Sequence, residues 1–458
     1  MKNQSFVLKG HILDSETPQS IRCHSDSYLV CEKGRVAGVF SSLPTQYAAY
    51  PLTDWGDRLI IPGLVDLHLH APQYSFSGLY MDLELLDWLN RHTFPEEAKY
   101  ADMAYAQKAY AIFVDALIHS PTTRASIFST LHLDSTYLLM EMLEKSGLHT
   151  YVGKTNMDRN APDILREKSA NDALAQTEAW LQKAHAFRYT HPILTPRFIP
   201  TCTPELMRGL SALQKTYALP VQSHLSENPS EVTWVKKLCP SASSYADAYD
   251  QYGFLGGRHP SIMAHCVYVT DEEIALMKAR KTFVAHCPQS NTNLSSGIAP
   301  VRRFMQAGLH IGLGTDIAGG HSLSMFRAIT DAVQVSKLFW RLVDQSTKPL
   351  TFPEAFYLAT KGGGSFFGSV GGFDAGYAFD ALVLDESAYP HPQVLTPPER
   401  LERYVYLAAH APLHAKYVAG QALFENTLQR KEHARLITTI GVEPWKSPSE
   451  SSSSLSLG

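Results

Sequence analysis

Short apolar runs recur along the middle of this chain, each separated from the next by a longer segment that could form a helix. Eight such runs are present, at residues 59–70, 122–130, 150–156, 192–200, 219–226, 261–269, 282–290 and 309–316. One intervening segment has the start signal of a helix, because Thr270 precedes Glu273 by three residues and apolar residues follow. Strand and helix alternating in this way predict an α/β fold, a (β/α)8 barrel.

The two ends of the chain have a different character. Before about residue 57, two strand-like stretches flank Lys33 and Gly34, which are predicted to form a hairpin turn. After about Gly362 the chain is rich in glycine, and AFDALVLD at 378–385 predicts a further strand that could complete the sheet begun near the amino terminus. Residues 445–458 are serine-rich, and we expect a flexible tail there.

Composition argues against several classes of protein. The chain has 458 residues, of which 45% are hydrophobic, and its net charge of −4 comes without a block of like charge. Neither nucleic acid nor an anionic membrane is therefore indicated as a partner. No run of about 18 apolar residues predicts a membrane span, and the first residues lack the apolar core of a signal peptide. The six cysteines form no CxxC pair, which favours reduced thiols in a cytoplasmic protein.

Histidines and one aspartate lie at the carboxyl ends of several runs. His68 and His70 are two residues apart, so in a strand both imidazoles point to the same face. Such a pair alone is common by chance, but His224, His265 and Asp316 each end another run. In a barrel these ends meet on one face, where active sites are built. Nitrogen and oxygen donors in this mixture suit zinc or iron better than calcium or magnesium.

The motifs around these residues resemble the guanine deaminase branch of the amidohydrolase superfamily. The similar stretches, in chain order, are PGLVDLHLHAPQY, TPRFIPTCTPELM, QSHLSEN, MAHCVYVTDEE, AHCPQSN and GLGTDIAGGHSLSMFRA. The resemblance implies a metal-bearing barrel at residues 59–370 and a small β-sandwich formed from residues 1–58 and 371–444. It also implies a homodimer. His68, His70, His224 and Asp316 would hold one metal ion per subunit, usually zinc.

The resemblance also implies roles for residues that do not hold the metal. Glu227 would be the proton shuttle, His265 would stabilise charge on the attacking oxygen, and Asp316 would accept a proton from the attacking water. The reaction would be the hydrolytic loss of ammonia from C2 of guanine, giving xanthine. Away from this motif, Glu227 reads as a helix-start carboxylate and His265 as a buried, hydrogen-bonded histidine.

Substrate binding is expected to depend on three further residues. Gln73 offers a donor and an acceptor, which suits a purine edge, Arg197 could bond the guanine carbonyl and Phe198 could stack on the ring. Each also has a plain structural interpretation: a polar loop residue, a surface arginine and a core phenylalanine. Trp88 and Phe94 are expected to pack, although one could wall the pocket.

Two features near these motifs have no assigned role. His286, next to Cys287, is expected to shape the pocket without binding metal. The family more often has a different tripeptide where this chain has Gly319, Gly320 and His321, which leaves the fine substrate preference open.

Alternative functions can be ranked from the same motifs. A sister aminohydrolase acting on a triazine, a pterin or an adenosine derivative is the nearest alternative, and the HAPQ and TPRF elements favour guanine over it. A non-catalytic assembly protein with this fold would be expected to have lost ligands, and here all of them are present. The H-x-E…P-C-x-x-C signature of the smaller deaminase fold is absent, as are the GxGxxG and Walker patterns of dinucleotide and ATP enzymes.

Overall fold

The computed structural model describes residues 5–408 and 412–425. Each of the eight predicted apolar runs contains at least one strand. The strands are β1 Phe6–Thr17, β2 Ser20–Glu32, β3 Arg35–Phe40, β4 Leu52–Pro62, β5 Leu64–His70, β6 Thr122–Phe128, β7 His149–Gly153, β8 Thr155–Asn156, β9 Thr190–Pro192, β10 Thr195–Pro196, β11 Val221–Leu225, β12 Ser261–His265, β13 Phe283–His286, β14 His310–Leu313, β15 Ala381–Leu384, β16 Leu413–Val418 and β17 Gln421–Glu425.

Helices fill the segments between the barrel strands, as the alternation predicts. The predicted start of one of them is confirmed, because Thr270 and Glu273 form a reciprocal capping box. The helices are α1 Leu85–Trp88, α2 Phe94–Ala98, α3 Met103–His119, α4 Leu133–Ser146, α5 Ala170–Ala184, α6 Pro204–Tyr217, α7 Pro229–Leu238, α8 Tyr245–Asp250, α9 Asp271–Arg280, α10 Pro288–Asn293, α11 Val301–Ala307, α12 Met325–Leu342, α13 Phe352–Tyr357 and α14 Pro397–Leu407.

The barrel consists of two four-stranded parallel sheets that join edge to edge. Their strand orders are β5-β6-β7-β9 and β11-β12-β13-β14. At one junction the Gln222 N–H donates to Leu194 O at 2.9 Å, and at the other the Asp316 N–H donates to His68 O at 2.8 Å. The predicted (β/α)8 barrel is therefore confirmed. These hydrogen bonds bring the first and last runs together, so the residues at their carboxyl ends become neighbours.

The first predicted run divides into two strands that belong to different sheets. β4 ends at Pro62 and β5 begins at Leu64. Between them, Gly63 passes so close to Thr123 that a Cβ would lie 2.2 Å from the Thr123 hydroxyl oxygen. A side chain at Gly63 would push the chain out of the barrel wall. The chain therefore passes directly from the terminal sheet into the barrel at a glycine.

Strands from both ends of the chain form one seven-stranded sheet, in the order β17-β16-β15-β4-β1-β2-β3. Lys33 and Gly34 form the predicted turn with positive φ values of 53° and 81°. The sheet curls until its ends touch, because a Cβ on Gly420 would lie 2.5 Å from the Cα of Gly34. The predicted boundaries at residues 58 and 370 stay predictions, and the serine-rich tail at 445–458 lies outside the described residues.

A helix that crosses a membrane must be both long and predominantly apolar. None of the helices in the described part of the chain meets both requirements.

Candidate active site

Four imidazoles and a carboxylate converge at the carboxyl ends of β5, β11, β12 and β14. His70 Nε2 lies 3.1 Å from His224 Nε2. Asp316 Oδ1 lies 3.1 Å from His68 Nε2 and 3.5 Å from His70 Nε2. The Nε2 atom of His265 lies 3.7 Å from the other Asp316 oxygen. All five residues are at least nine-tenths buried, so strands far apart in sequence bring their polar ends to one point.

The chemistry of this cluster fits a bound transition metal. Possible ligand atoms of His68, His70 and His224 lie within 4.8 Å of one another, as do those of His68, His265, Cys287 and Asp316. Within the described part of the chain, the buried Nε2 of His68 makes no hydrogen bond, an expensive arrangement unless a cation uses the lone pair. Burial, followed by the charge of His68, holds the pKa of both His70 and His224 well below the ordinary value. Both rings are therefore neutral, as metal ligands must be.

Neighbouring backbone groups set the orientation of the ligands. His224 Nδ1 donates to Arg197 O at 2.6 Å, which turns Nε2 towards the cluster. The buried Asp66 carboxylate accepts from the N–H of His68 at 3.2 Å and from the N–H and hydroxyl of Thr315 at 3.0 and 2.5 Å. Asp66 thereby ties the strand that carries His68 to the segment that carries Asp316.

The backbone turns sharply where the strands end. His265 has φ 71° and Asp316 has φ 47°, in the left-handed region that few residues with side chains adopt. Gly319 also comes close to the cluster, since a Cβ there would lie 3.2 Å from Asp316 Oδ2 and 2.4 Å from Ser290 Oγ. Strained backbone of this kind is concentrated at functional sites, where the surrounding structure holds it in place.

Glu227 and His265 face each other across the pocket. His265 Nδ1 lies 2.8 Å from Asn291 Oδ1, so Nε2 is directed inward and lies 3.4 Å from Glu227 Oε2. Ser296 donates to the other Glu227 oxygen at 3.2 Å. Burial, and then the negative charges of Asp316 and Glu231, raise the pKa of Glu227 well above its ordinary value. Burial therefore favours the protonated, neutral form of the Glu227 carboxyl group.

The three predicted substrate residues lie on the same pocket. Gln73 donates through Nε2 to Glu97 Oε1 at 2.8 Å and accepts from the Ala318 N–H at 3.3 Å. Arg197 is buried and forms a two-pronged ion pair with Glu97. The residues lining the pocket are His70, Gln73, Leu85, Trp88, Leu89, Arg197, Phe198, His224, Glu227, His265, Leu294 and Asp316.

The structure therefore brings every predicted site residue together, with His68 buried behind the lining residues. Trp88 forms part of the wall, whereas Phe94 packs under Arg197, whose guanidinium carbon is 5.0 Å from the ring centre. His321 contacts Asn293 and borders a separate cavity. His286 is buried, and within the described part of the chain it is not among the lining residues.

Sequence reasoning missed several residues that complete the site. Glu97 is buried under Arg197, Asn291 orients His265, and Leu85, Leu89 and Leu294 form apolar wall. Asn291 follows the seventh run closely and could have been suspected from that position. Glu97 has no comparable signal, because it is one of two adjacent glutamates in an ordinary-looking segment.

Comparison with known proteins agrees with this geometry. Residues 59–422 match the model of the amidohydrolase family. The chain is 38% identical to a guanine deaminase of Dictyostelium discoideum over 81% of this chain and 83% of that protein. It is 33% identical to a guanine deaminase of Escherichia coli K12 over 92% of this chain and 97% of that protein.

Solved structures share the architecture. A guanine deaminase from C. acetobutylicum, with guanine bound in its active site, superposes with a TM-score of 0.89 at 45% identity, covering 92% of this chain and all of that one. A triazine hydrolase superposes with a TM-score of 0.80 at 17% identity, over 95% of this chain and 99% of that one, which is a likeness of fold alone.

Proposed function

The chain belongs to the amidohydrolase family, and on that premise we propose that it catalyses the hydrolysis of guanine to xanthine and ammonia. The observation that carries this function is the placement of two kinds of group on one pocket. One wall holds the cluster of histidines and Asp316, and another holds Gln73, Arg197 and Phe198. Relatives similar over most of their length carry the name guanine deaminase.

We assign His68, His70, His224 and Asp316 as ligands of a single zinc ion per subunit, with iron as the alternative. The crowding of buried donors, with His68 Nε2 3.1 Å from Asp316 Oδ1 and His70 Nε2 3.1 Å from His224 Nε2, and the neutral rings of His70 and His224 support this assignment. Such an ion supplies Lewis acidity that makes water a nucleophile near neutral pH. The rest of the catalysis belongs to the side chains around it.

Proton transfer is assigned to Asp316 and Glu227. Asp316 takes a proton from the attacking water molecule while the oxygen atom of that water bonds to C2 of guanine. Glu227 begins neutral and protonates a ring nitrogen. The resulting Glu227 carboxylate takes the proton of the new C2 hydroxyl group and passes it to the amino group, which leaves as ammonia, and the proton held by Asp316 then restores neutral Glu227. His265 Nε2, directed inward by the Nδ1 contact with Asn291, stabilises charge on the attacking oxygen. Guanine and water thus give xanthine and ammonia in balance.

Recognition of the ring is assigned to three residues. Arg197 donates to the carbonyl oxygen of guanine, Gln73 pairs with the polar edge, and Phe198 stacks against the face. Gln73 and Arg197 are both buried, so a ring without matching polar atoms leaves them unpaired. A site of this kind rejects such analogues far more strongly than a purely apolar pocket does.

The test is an assay of xanthine released from guanine, with metal content measured on the same preparation. We expect turnover that chelation abolishes and zinc or iron restores, with about one ion per chain. Adenosine, a pterin and a triazine serve as competing substrates. Full activity in protein stripped of metal, or a clear preference for another ring, contradicts the proposal.

We also infer that the protein is a cytoplasmic homodimer that acts in purine breakdown. The outer face of α12 and the residue after it expose apolar side chains, with Leu338, Leu342 and Val343 at 52%, 76% and 66% of full exposure. Apolar area of this kind favours association. None of the cysteines in the described part of the chain forms a disulfide bond, as in a reducing compartment. Light scattering in solution, which gives twice the chain mass for a dimer, and cell fractionation test the two inferences.

A further inference from the structure

Glu97 is a buried carboxylate that touches both polar residues assigned to the substrate. We propose that Glu97 is a positioning residue that holds Gln73 and Arg197 in place and cancels the charge of Arg197, so that the pocket selects a neutral purine over an anionic one. This inference rests on the proposed function and extends it from ring recognition to charge selection.

The contacts of Glu97 join the two substrate residues into one unit. Glu97 Oε1 accepts from Gln73 Nε2 at 2.8 Å and from an Arg197 nitrogen at 3.0 Å, while Oε2 accepts from the other Arg197 nitrogen at 2.6 Å. Glu97 is 1% exposed and Arg197 3% exposed. A two-pronged pair in this setting fixes the plane of the guanidinium.

The amide of Gln73 is fixed in the same way. Its nitrogen donates to Glu97, and its oxygen accepts from the Ala318 N–H at 3.3 Å. The two contacts distinguish the ends of the amide, so the donor and the acceptor cannot exchange places. One N–H and one oxygen lone pair of Gln73 remain for the substrate edge.

Glu97 and Phe94 both support the guanidinium group of Arg197. They are three residues apart in α2, so they lie on one face of the helix. Phe94 packs under the guanidinium of Arg197 at 5.0 Å, and Glu97 holds its edge. Arg197 is thus supported from two directions by one short helix while it lines the pocket.

The charge on Arg197 affects whether the pocket binds a neutral or an anionic purine. Without Glu97, the buried Arg197 would present an uncompensated cation, which attracts an anion strongly in a dry site. Guanine is neutral near pH 7, whereas xanthine loses a ring proton more readily. A neutralised Arg197 therefore binds the neutral substrate and avoids retaining the product as its anion.

The experiment compares the full-length, metal-loaded wild type with Glu97→Gln and Glu97→Asp. Glu96→Gln is the matched control, since Glu96 lies on the same helix but contacts Ser75 and Lys99 instead of the substrate residues. For each protein the KM and kcat for guanine and the inhibition constant for xanthine are measured across pH 7 to 9. Turnover of guanine by the wild type tests the proposed function separately.

For Glu97→Gln we expect KM to rise about 10- to 100-fold with a smaller change in kcat, since a bidentate charged contact is lost. Xanthine should bind more tightly relative to guanine, increasingly so as pH rises. Glu97→Asp keeps the charge but shortens the side chain, so the KM for guanine should rise without any gain in affinity for xanthine. Glu96→Gln should match the wild type.

A purely structural role predicts a different result. If Glu97→Gln weakens guanine and xanthine binding equally at every pH, or if Glu97→Asp gains affinity for xanthine as Glu97→Gln does, the inference is wrong. Should Glu97→Gln fail to fold, Glu97→Asp still decides the positioning claim: an unchanged KM refutes it and a raised KM supports it.

Discussion

The two ends of the barrel are both lined with buried polar residues, yet they are built in opposite ways. At the carboxyl ends, His68 lies against His265 and Asp316, whose backbones are strained, and the Nε2 atoms of His68 and His265 make no hydrogen bond within the described structure. At the amino ends, Arg124 of β6 donates to both oxygens of Asp380, at 2.7 and 3.2 Å. Imidazole nitrogens remain available at the carboxyl ends, whereas at the amino ends the charges of Arg124 and Asp380 are paired.

The amino end also joins the barrel to the terminal sheet. Asp380 accepts a further hydrogen bond from the Ala419 N–H at 2.7 Å, and Arg124 contacts His149 Nδ1 at 3.0 Å. Nearby, Lys416 Nζ donates to three carbonyl oxygens at the end of α3, those of Leu117, Ile118 and Ser120. Paired charges there join the barrel to the terminal sheet, whereas the groups at the opposite end are the ones proposed to bind a metal and a substrate.

Asp316→Asn should show the largest effect at the carboxyl ends of the barrel strands. An amide is a poor metal ligand and cannot take a proton from water, so guanine turnover should fall by about 10⁴-fold or more. The thermal midpoint should stay near that of the wild type, because the variant removes a buried charge from a crowded cluster. Xanthine release, metal content and a thermal melt are the measurements, and retained turnover would exclude Asp316 from the chemistry.

Glu227→Gln should have the next largest effect, again confined to activity. The amide cannot shuttle a proton, so kcat should fall about 10³-fold while metal content stays the same. Stability should be unchanged or slightly higher, since Glu227 lies near the charges of Asp316 and Glu231. Steady-state kinetics beside a denaturant melt would show this, and a large loss of stability with normal kcat would reverse the assignment.

Asp380→Asn should show the opposite pattern. The variant leaves the buried Arg124 without its counter-charge, so the free energy of unfolding should drop by about 3 kcal/mol. The kcat of the folded fraction should not change, because the substitution lies at the far end of the barrel. Urea denaturation and active-site titration separate the two quantities, and a selective loss of kcat would show that the two ends are coupled.

The smallest effect is expected from pH at the amino end. Burial, and then the charge of Arg124, lowers the pKa of His149 from 6.5 to about 4. As pH falls, the unfolded chain therefore binds a proton at His149 near pH 6.5, whereas the folded protein binds that proton only near pH 4. Stability should fall as pH drops through this window, by about 3 kcal/mol in all, and then level off.

His149→Gln removes this titrating group and should flatten that part of the stability curve. His185→Gln, at an exposed position, serves as the control and should leave the slope unchanged. Melting curves collected from pH 7 to 4 provide the measurement. A slope that His149→Gln does not alter would assign the acid sensitivity to another group.

Much of the barrel and the metal cluster could be predicted without coordinates. The alternation of apolar runs is a local property, and a side chain at a strand's carboxyl end is recognisable from the residues beside it. His68, His70, His224, His265 and Asp316 stand out in this way, and the resemblance to a known family then implies which four would hold a metal. The division of the first run at Gly63 was missed, because two strands joined by one glycine give a single apolar stretch.

The order of strands and helices, and the residues placed at the carboxyl ends of the strands, follow from local periodicity and motif in the chain. The contact of Glu97 with Arg197, a partner 100 positions away, depends instead on how the folded chain packs. Packing also brings Arg124 and Asp380, 256 positions apart, into an ion pair at the opposite end. Pairings of this kind depend on how loops and sheets pack in three dimensions, and no local pattern in the chain encodes the distance between two charges.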